Sequence, residues 1–321
     1  MDGFINYFRA YHSIASLYGC ALNALLVYVV LTKSPKSIKS YGVLVINFSI
    51  TDFLICIFNL IIMQRIIICG DGVAYISIGP CSLHSARFCF ISFVLILHFY
   101  THSFWLLLIS FSYRYYVMIK SEPKMWKTQL LVCIFYLPSL FRNINIHTQN
   151  VPEESAKKMV MAYYPSYDVS QLTVTAVATV WDFTALYCCI HVVGVSVPIA
   201  FAIVTLRGKI LKKLSAAGQT TSQRSKQLQL QFLKALTFQA CIPVFYLWGG
   251  LCFMIQQWNI INNALPQYFC FCFFILVPIL NPMSSFIFIT PYRNFFISNL
   301  KRKFTTTSTK ISVAHSSDFI T

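Results

Sequence analysis

Residues 106–120 read LLLISFSYRYYVMIK, and this stretch decides between a membrane fold and a soluble one. An apolar run ends here on a single arginine, Arg114, which has tyrosines on both sides. The preceding arginine, Arg87, lies 27 residues earlier, and a helix of that length measures roughly 40 Å. A bilayer with its headgroups has about that thickness, so the segment is predicted to cross a membrane.

The whole chain has the composition of a membrane protein. Of its 321 residues, 57% are hydrophobic and 11% are charged, whereas a soluble domain carries about 25% charged residues. The formal net charge is +16, but the basic residues lie in short stretches between apolar runs and form no recognition helix. These patterns predict a lipid bilayer as a partner and argue against nucleic acid.

Seven apolar runs predict an all-α membrane protein, a seven-transmembrane helix bundle formed by residues 1–304, followed by a Ser/Thr-rich tail at 305–321. Residues 169–181 are interpreted as an extracellular lid or helix extension, although their Val and Thr content also suits a hairpin strand. The predicted spans are residues 10–32, 41–63, 88–113, 128–141, 182–206, 228–255 and 267–290.

Charge distribution predicts the orientation of the bundle. With the N-terminus outside and the C-terminus in the cytoplasm, the cytoplasmic segments hold 19 of the 25 Lys and Arg residues. Positive residues concentrate on the cytoplasmic side of membrane proteins. An eighth span within residues 169–206 would place the most basic loop outside, so seven spans are favoured.

Two charged residues at or near the membrane each allow two interpretations. Arg114 either snorkels to the interface within a tyrosine belt formed with Tyr113 and Tyr115, or it is a signalling residue at the inner end of the third span. Asp52 lies in the middle of the second span, where a carboxylate costs about 2.5–3.5 kcal/mol and must face the bundle. It is either a structural hydrogen-bond partner of Asn23 or Asn281, or part of a hydrated polar switch.

Prolines interrupt the later spans. Pro282 follows Asn281 in the seventh span, and Pro243 lies in the sixth. Because proline removes a backbone donor and weakens the helix, bends are predicted at both places. A bundle that flexes fits this pattern, and so do the broken helices of transporters.

The histidines and cysteines indicate function less clearly than Arg114, Asp52 and the prolines do. His98 and His102 are four residues apart on one helical face, but no third ligand accompanies them, so polar packing or a ligand contact is favoured over a metal. Cys69 and Cys81 lie in a predicted loop, where they either form an extracellular disulfide or stay free. No Cys-x-x-Cys pair, Gly-rich phosphate loop or nucleophile elbow is present in the sequence, which predicts neither a cofactor nor an enzyme.

Four separated blocks resemble the nematode serpentine chemoreceptors, and the delta class, Srd, is the most similar. The blocks read KSPKSIKSYGVLVINFSITDFL, ISIGPCSLHSARFCFISFVLILHFYTHSFWLLLISFSYRYYV, LKALTFQACIPVF and PILNPMSSFIFITPYRNFF. The resemblance implies a G-protein-coupled receptor in the plasma membrane of a sensory neuron, often in its cilium. It also implies a small odorant or pheromone-like ligand and a heterotrimeric G protein as partners.

The resemblance also implies roles for particular residues. The coupling and switch residues would be Arg114, Tyr113, Tyr115, Asp52, Asn281, Pro282 and Pro243. A ligand would bind among the outer halves of helices three, five, six and seven, where depth and chemistry alone, and not the resemblance, indicate His98, Tyr100, His102, Phe245, Trp248 and Phe271. Compared with rhodopsin-like receptors, Tyr113 replaces the acid before the signalling arginine, and Ser285 replaces the tyrosine of the helix-seven motif.

A ligand-gated channel or a small-solute transporter is the alternative function, and it would produce current or flux without a G protein. Asp52 and Asp182 are the only acids that the sequence places at membrane depth, which makes a sparse ion path. A purely structural membrane protein would need neither an intramembrane acid nor the prolines. The receptor interpretation is therefore favoured.

Overall fold

Long apolar helices make up most of the described chain. The structure is a computed structural model that describes residues 2–34, 39–146, 150–194, 196–216, 223–242, 244–258, 260 and 264–298. The first five helices are α1 (Asp2–Lys33), α2 (Lys39–Ile62), α3 (Ala86–Val117), α4 (Met125–Ile146) and α5 (Glu153–Tyr163).

The fifth, sixth and seventh segments of the bundle are each divided. The fifth consists of α6 (Phe183–Cys189), a π-helical turn (Ile190–Gly194) and α7 (Ser196–Ala216). The sixth consists of α8 (Gln223–Cys241) and α9 (Val244–Gln257), and the seventh of α10 (Leu265–Phe274) and α11 (Val277–Phe288). A last helix, α12, covers residues 290–298.

The fifth segment of the structure begins at Phe183, directly after its N-cap residue Asp182. The Asp182 carboxylate accepts a hydrogen bond of 3.0 Å from the backbone N–H of Thr184, which is the usual arrangement of a helix N-cap. Asp182 therefore starts the helix and does not lie inside it.

Within the described residues, five helical stretches have the length and composition needed to cross a membrane. Residues Met125–Phe141 form a shorter apolar stretch within α4. The five longer ones are Phe4–Lys33, Tyr41–Ile62, Ala86–Val117, Leu230–Gln257 and Leu265–Phe288.

A three-stranded antiparallel sheet departs from the all-α expectation. It contains β1 (Gln64–Cys69), β2 (Gly72–Ser77) and β3 (Thr173–Val177), in the order β1-β2-β3. Gly70 has a φ of +61°, which glycine adopts without a steric cost, and it allows the tight turn between β1 and β2. The strand alternative is thus confirmed for residues 173–177, whereas the loop expected after α2 is a hairpin rich in β-branched residues.

The sheet caps one end of the bundle, which we call the sheet end. Its buried side chains, such as Ile67 and Val174, pack with Val160 of α5 and with Tyr268 of α10. Arg114 lies in the last turn of α3, close to the opposite end of that 32-residue helix, and we call this end of the bundle the arginine end.

The disulfide prediction is wrong. Cys81 is bonded to Cys89 in the first turn of α3, with 5.2 Å between their Cα atoms, and Cys69 is a free, buried thiol. Cys69 lies beside the hairpin turn, while Cys81 lies beyond the open end of the hairpin, a strand length of about 20 Å away. Burial raises the pKa of the Cys69 thiol to about 11, so it stays protonated at neutral pH.

Candidate functional site

Arg114 is buried at the arginine end, with 5% of its surface exposed. Its guanidinium carbon lies 3.6 Å from the ring centre of Tyr41 on α2 and 3.7 Å from the ring centre of Phe232 on α8. We call these three residues the arginine clamp. A side chain enclosed in this way does not snorkel to the membrane interface, so the first of the two sequence interpretations does not describe it.

The chemistry of the arginine clamp follows from its aromatic faces. A guanidinium over an aromatic ring gains about 2 kcal/mol or more where water is excluded. Tyr41 and Phe232 also contact each other, with ring centres 4.7 Å apart. The arginine clamp therefore joins the ends of the second, third and sixth segments through one buried cation.

The tyrosines around Arg114 occupy different environments. Tyr113 is buried, and its hydroxyl donates a hydrogen bond of 3.0 Å to the Glu122 carboxylate, in the connection between α3 and α4. Tyr115 is half-buried, with the Lys209 ammonium of α7 lying 6.0 Å from its ring centre. Tyr116 is exposed. The position where rhodopsin-like receptors carry an acid thus holds a tyrosine that binds an acid from the next loop.

Asp52 is fully buried in the middle of the bundle, and one of its two expected partners is confirmed. The Asn281 side-chain amide donates a hydrogen bond of 2.8 Å to the Asp52 carboxylate. The backbone carbonyl of Asn281 accepts a hydrogen bond of 3.3 Å from the side chain of Gln239 on α8. These contacts join the second, sixth and seventh segments.

The side-chain amide of Asn23, the other expected partner of Asp52, donates to two backbone carbonyls instead. Pro282 has no N–H, so the carbonyl of Pro278, four residues earlier, lacks its usual helical donor. The Asn23 side-chain amide donates to that carbonyl at 2.8 Å and to the carbonyl of Gly19 at 2.9 Å. Asn23 thus stabilises the irregular seventh segment from α1.

A small polar cavity lies between Asp52 and the arginine clamp. Its volume is about 10 Å³, close to the minimum for one water molecule. It provides a polar connection between the middle of the bundle and Tyr41. Its lining includes Asn23, Tyr41, Asp52, Gln239, Asn281 and Ser285.

The six predicted ligand residues are not brought together. His98 and His102 face Tyr136 of α4, with ring centres 4.9 and 3.8 Å away. Tyr100 instead packs on Tyr246 and Phe274, with ring centres 5.4 and 5.7 Å away.

Of the other three, Phe271 packs on Phe274, as Tyr100 does, with ring centres 5.5 Å apart. Phe271 is buried, Phe245 is half-buried and 49% of the surface of Trp248 is exposed. The physical reason for this dispersion is that depth in a span does not fix the direction of a side chain around the helix.

An apolar cavity of about 80 Å³ lies instead beneath the sheet, and we call it the sheet cavity. It is partly open, and it is lined by β2 and β3 above, by α3 on one side, and by α6 and α9 on the others. None of the six predicted residues lines it. Its lining includes Tyr75, Phe90, Val94, Val177, Cys188 and Phe253.

Sequence reasoning did not identify the aromatic residues of the arginine clamp or the residues that line the sheet cavity. Tyr41 and Phe232 are far from Arg114 in sequence, and no local pattern predicts that three segments converge there. Phe90, Val94 and Leu97 do follow a helical spacing on α3, but many apolar faces of this chain share that spacing.

Two further expectations concern Pro243 and metal binding. Pro243 lies outside the described residues, although α8 ends at Cys241 and α9 begins at Val244. Across the part of the chain that the structure describes, no group of three or more His, Cys, Asp or Glu side chains is arranged to hold a metal ion.

The fold is that of the seven-transmembrane receptors. The crystal structure of squid rhodopsin is similar with a TM-score of 0.65, and the match covers 95% of this chain and 88% of that one. The two sequences are 13% identical, so this likeness concerns the fold alone.

Sequence comparisons define the family. The family model described as "Serpentine type 7TM GPCR chemoreceptor Srd" matches residues 8–298. Serpentine receptor class delta-19 of Caenorhabditis elegans is 36% identical, over 90% of this chain and 86% of the relative. Class delta-18 of the same organism is 32% identical, over 93% and 88%. The chain belongs to the Srd family of serpentine chemoreceptors, and it is a multi-pass membrane protein.

Proposed function

We propose that this chain is a chemosensory G-protein-coupled receptor, which binds a small odorant or pheromone-like molecule and activates a heterotrimeric G protein. Membership of the Srd family and the rhodopsin-like fold support a receptor. The arginine clamp is the main structural support for this proposal. It closes the arginine end through contacts among the second, third and sixth segments, and in the proposed mechanism the sixth segment moves away.

The proposed orientation places the sheet end outside the cell and the arginine end in the cytoplasm. Most of the basic residues then lie on the cytoplasmic side, and the basic segment around Lys209 and Lys213 at the end of α7 faces anionic lipid and the G protein. The plasma membrane of a sensory neuron, including its cilium, is the proposed location.

The proposed mechanism is a shift between two populations. In the closed state, Phe232 of the sixth segment covers the Arg114 guanidinium. A ligand that binds the open state more tightly shifts the equilibrium towards it. Phe232 then leaves Arg114, and the freed guanidinium faces the G protein.

The Asp52–Asn281–Gln239 contacts offer a connection between the two ends. They join the sixth and seventh segments at mid-bundle, between the sheet cavity and the arginine clamp. A displacement of α9 at the sheet end would act on α8 at the arginine end through this region.

Substitution of Arg114 by Ala tests the proposal. The receptor is first expressed in cells and screened with volatile compounds and small pheromones, with G-protein activation as the readout. We expect agonist-stimulated nucleotide exchange in the reconstituted wild-type receptor and loss of it in R114A. Arg87→Ala, at the opposite end of α3 and exposed, is the matched control and should retain exchange.

Two outcomes would contradict the proposal. One is undiminished nucleotide exchange in R114A at an equal amount of folded receptor in the membrane. The other is a ligand-dependent current or solute flux that persists without G protein, which would indicate a channel or a transporter.

A further inference from the structure

The walls of the sheet cavity come from segments that lie far apart in the sequence. Tyr75 and Val177 come from neighbouring strands, Phe90 and Val94 from α3, and Phe253 from α9 of the sixth segment. The Cys81–Cys89 disulfide joins the end of the hairpin connection to the first turn of α3, one residue before Phe90. The position of the sheet over α3 is therefore covalently constrained at this cavity.

The lining determines what charge an occupant can carry. Among the residues that line the sheet cavity, none is Asp, Glu, Lys, Arg or His, and apolar side chains predominate. An ion placed here would lose its hydration without gaining a partner, which is strongly unfavourable. A neutral ligand is therefore favoured over one that carries a carboxylate or an ammonium group.

The volume limits the size of the occupant. An apolar cavity of about 150 Å³ in another protein holds one benzene molecule. The sheet cavity, at about 80 Å³, is about half that size, so its occupant is expected to be smaller than benzene. Drug-sized pockets of about 300–1,000 Å³ are considerably larger.

We infer that the sheet cavity is the ligand site of this receptor, and that its ligand is a small, uncharged, largely apolar molecule. This inference rests on the proposed receptor function and deepens it by naming the class of ligand. It replaces the region of His98 and His102 as the ligand site.

The walls of the sheet cavity also reach the segments that must move. Phe253 belongs to the sixth segment, which carries Phe232 of the arginine clamp at its other end. Phe93, another lining residue, packs against Phe271 of the seventh segment with ring centres 6.1 Å apart. An occupant of the sheet cavity thus contacts the sixth segment directly and the seventh through one aromatic neighbour.

The test uses the full-length receptor in lipid nanodiscs. The three probes, 2-butanone, butyrate and butylamine, each contain four carbon atoms. Binding is measured as the rise in melting temperature with probe concentration, because a ligand that binds only the folded state stabilises it. We expect 2-butanone to raise the melting temperature of the wild-type receptor. Butyrate and butylamine, which are charged at neutral pH, should leave it unchanged.

Two variants locate the binding. Val94→Phe fills the sheet cavity and should abolish the rise caused by 2-butanone. Val197→Phe makes the same chemical change on α7 at a side chain that is 67% exposed, and it should leave the rise intact.

A third variant changes the size preference and does not depend on how well V94F folds. Leu97→Ala enlarges the sheet cavity and should shift the preference from 2-butanone towards 2-hexanone by roughly tenfold, since each buried methylene favours binding. An unchanged preference would overturn the inference. So would 2-butanone binding that survives in V94F, or a larger rise with butyrate than with 2-butanone.

The outcomes separate this inference from the proposed function. If 2-butanone binds as expected but no neutral volatile stimulates nucleotide exchange, the receptor proposal fails while the binding site stands. If an agonist stimulates exchange equally in the wild-type receptor and V94F, the ligand site lies elsewhere while the receptor proposal stands.

Discussion

Arg114 shows how one residue can close a bundle without an ion pair to its neighbour in sequence. Tyr113 stands where rhodopsin-like receptors have an acid, and its hydroxyl binds Glu122. The guanidinium lies instead between the faces of Tyr41 and Phe232, whose ring quadrupoles stabilise the cation. In the proposed mechanism, the closed state thus depends on aromatic contacts, which are less sensitive to salt than an exposed ion pair.

Replacing Phe232 by Leu tests the aromatic contribution. The substitution keeps an apolar side chain but removes one ring face, at a cost to the closed state of about 1–2 kcal/mol. We expect basal nucleotide exchange to rise roughly 5- to 30-fold, because the open population increases by that factor. Exchange is measured without agonist at equal receptor density.

The matched control is Phe111→Leu, the same chemical change at another fully buried phenylalanine, on α3. It should leave basal exchange near the wild-type value. Equal basal exchange in all three proteins would show that the Phe232 ring does not hold the closed state.

The sequence predicts part of this site. Arg114, Asp52 and Asn281 stand out because charge and amide groups are expensive inside an apolar bundle. Phe232 does not stand out, since phenylalanine is common in this chain and its partner is set by how the segments pack. The free-energy cost of burying a charged or amide side chain can be predicted from the apolar run around it. Its contacts, in contrast, depend on the tertiary fold.

At the scale of elements, the sheet is fastened to the seventh segment by a buried arginine. Arg65 of β1 donates hydrogen bonds to Gln267 through Nε, at 2.8 Å, and through Nη2. Its Nη1 donates to the Tyr268 hydroxyl at 3.0 Å, and the guanidinium lies 4.8 Å from the ring centre of Tyr167. The sheet therefore depends on polar contacts to α10 as well as on its own ladder.

Replacing Arg65 by Met should loosen the sheet. Hydrogen bonds to a charged group contribute about 1.5–3 kcal/mol, and their loss leaves the buried Gln267 without its partner. We expect amide hydrogen exchange across residues 64–77 to accelerate at least roughly tenfold, as measured by mass spectrometry. Exchange in the middle of α3 should stay unchanged.

Arg9→Met, at an exposed arginine on α1, is the control and should not alter exchange in the sheet. If R65M and R9M give the same exchange pattern, Arg65 does not fasten the sheet to α10.

Elements differ in how well the sequence predicts them. A membrane helix requires a long apolar run, so each predicted span overlaps a helical segment of the structure. The strands are five or six residues long, and their pairing joins β2 to a strand about a hundred residues later. Such pairing depends on contacts far apart in sequence, which apolar length does not reveal.

In the whole molecule, the sixth segment extends from one end of the bundle to the other. The sheet cavity lies against α9, and the arginine clamp holds α8, which belongs to the same sixth segment. Between them, Gln239 joins that segment to Asn281 and, through it, to Asp52. Seven segments and their order could be predicted from the sequence, but the cavity and the arginine clamp arise only when the segments are packed.

The most direct test of the central claim is a distance between the third and sixth segments at the arginine end. Spin labels at positions 116 and 234, both exposed, are introduced after replacement of Cys133 and Cys241, the free cysteines that are exposed among the side chains that the structure describes. Distances are measured by pulsed electron paramagnetic resonance without ligand, and then with an agonist and nucleotide-free G protein. We expect a longer distance in the second state, because Phe232 must leave Arg114. An identical distance distribution in both states, while agonist-stimulated nucleotide exchange proceeds, would contradict it.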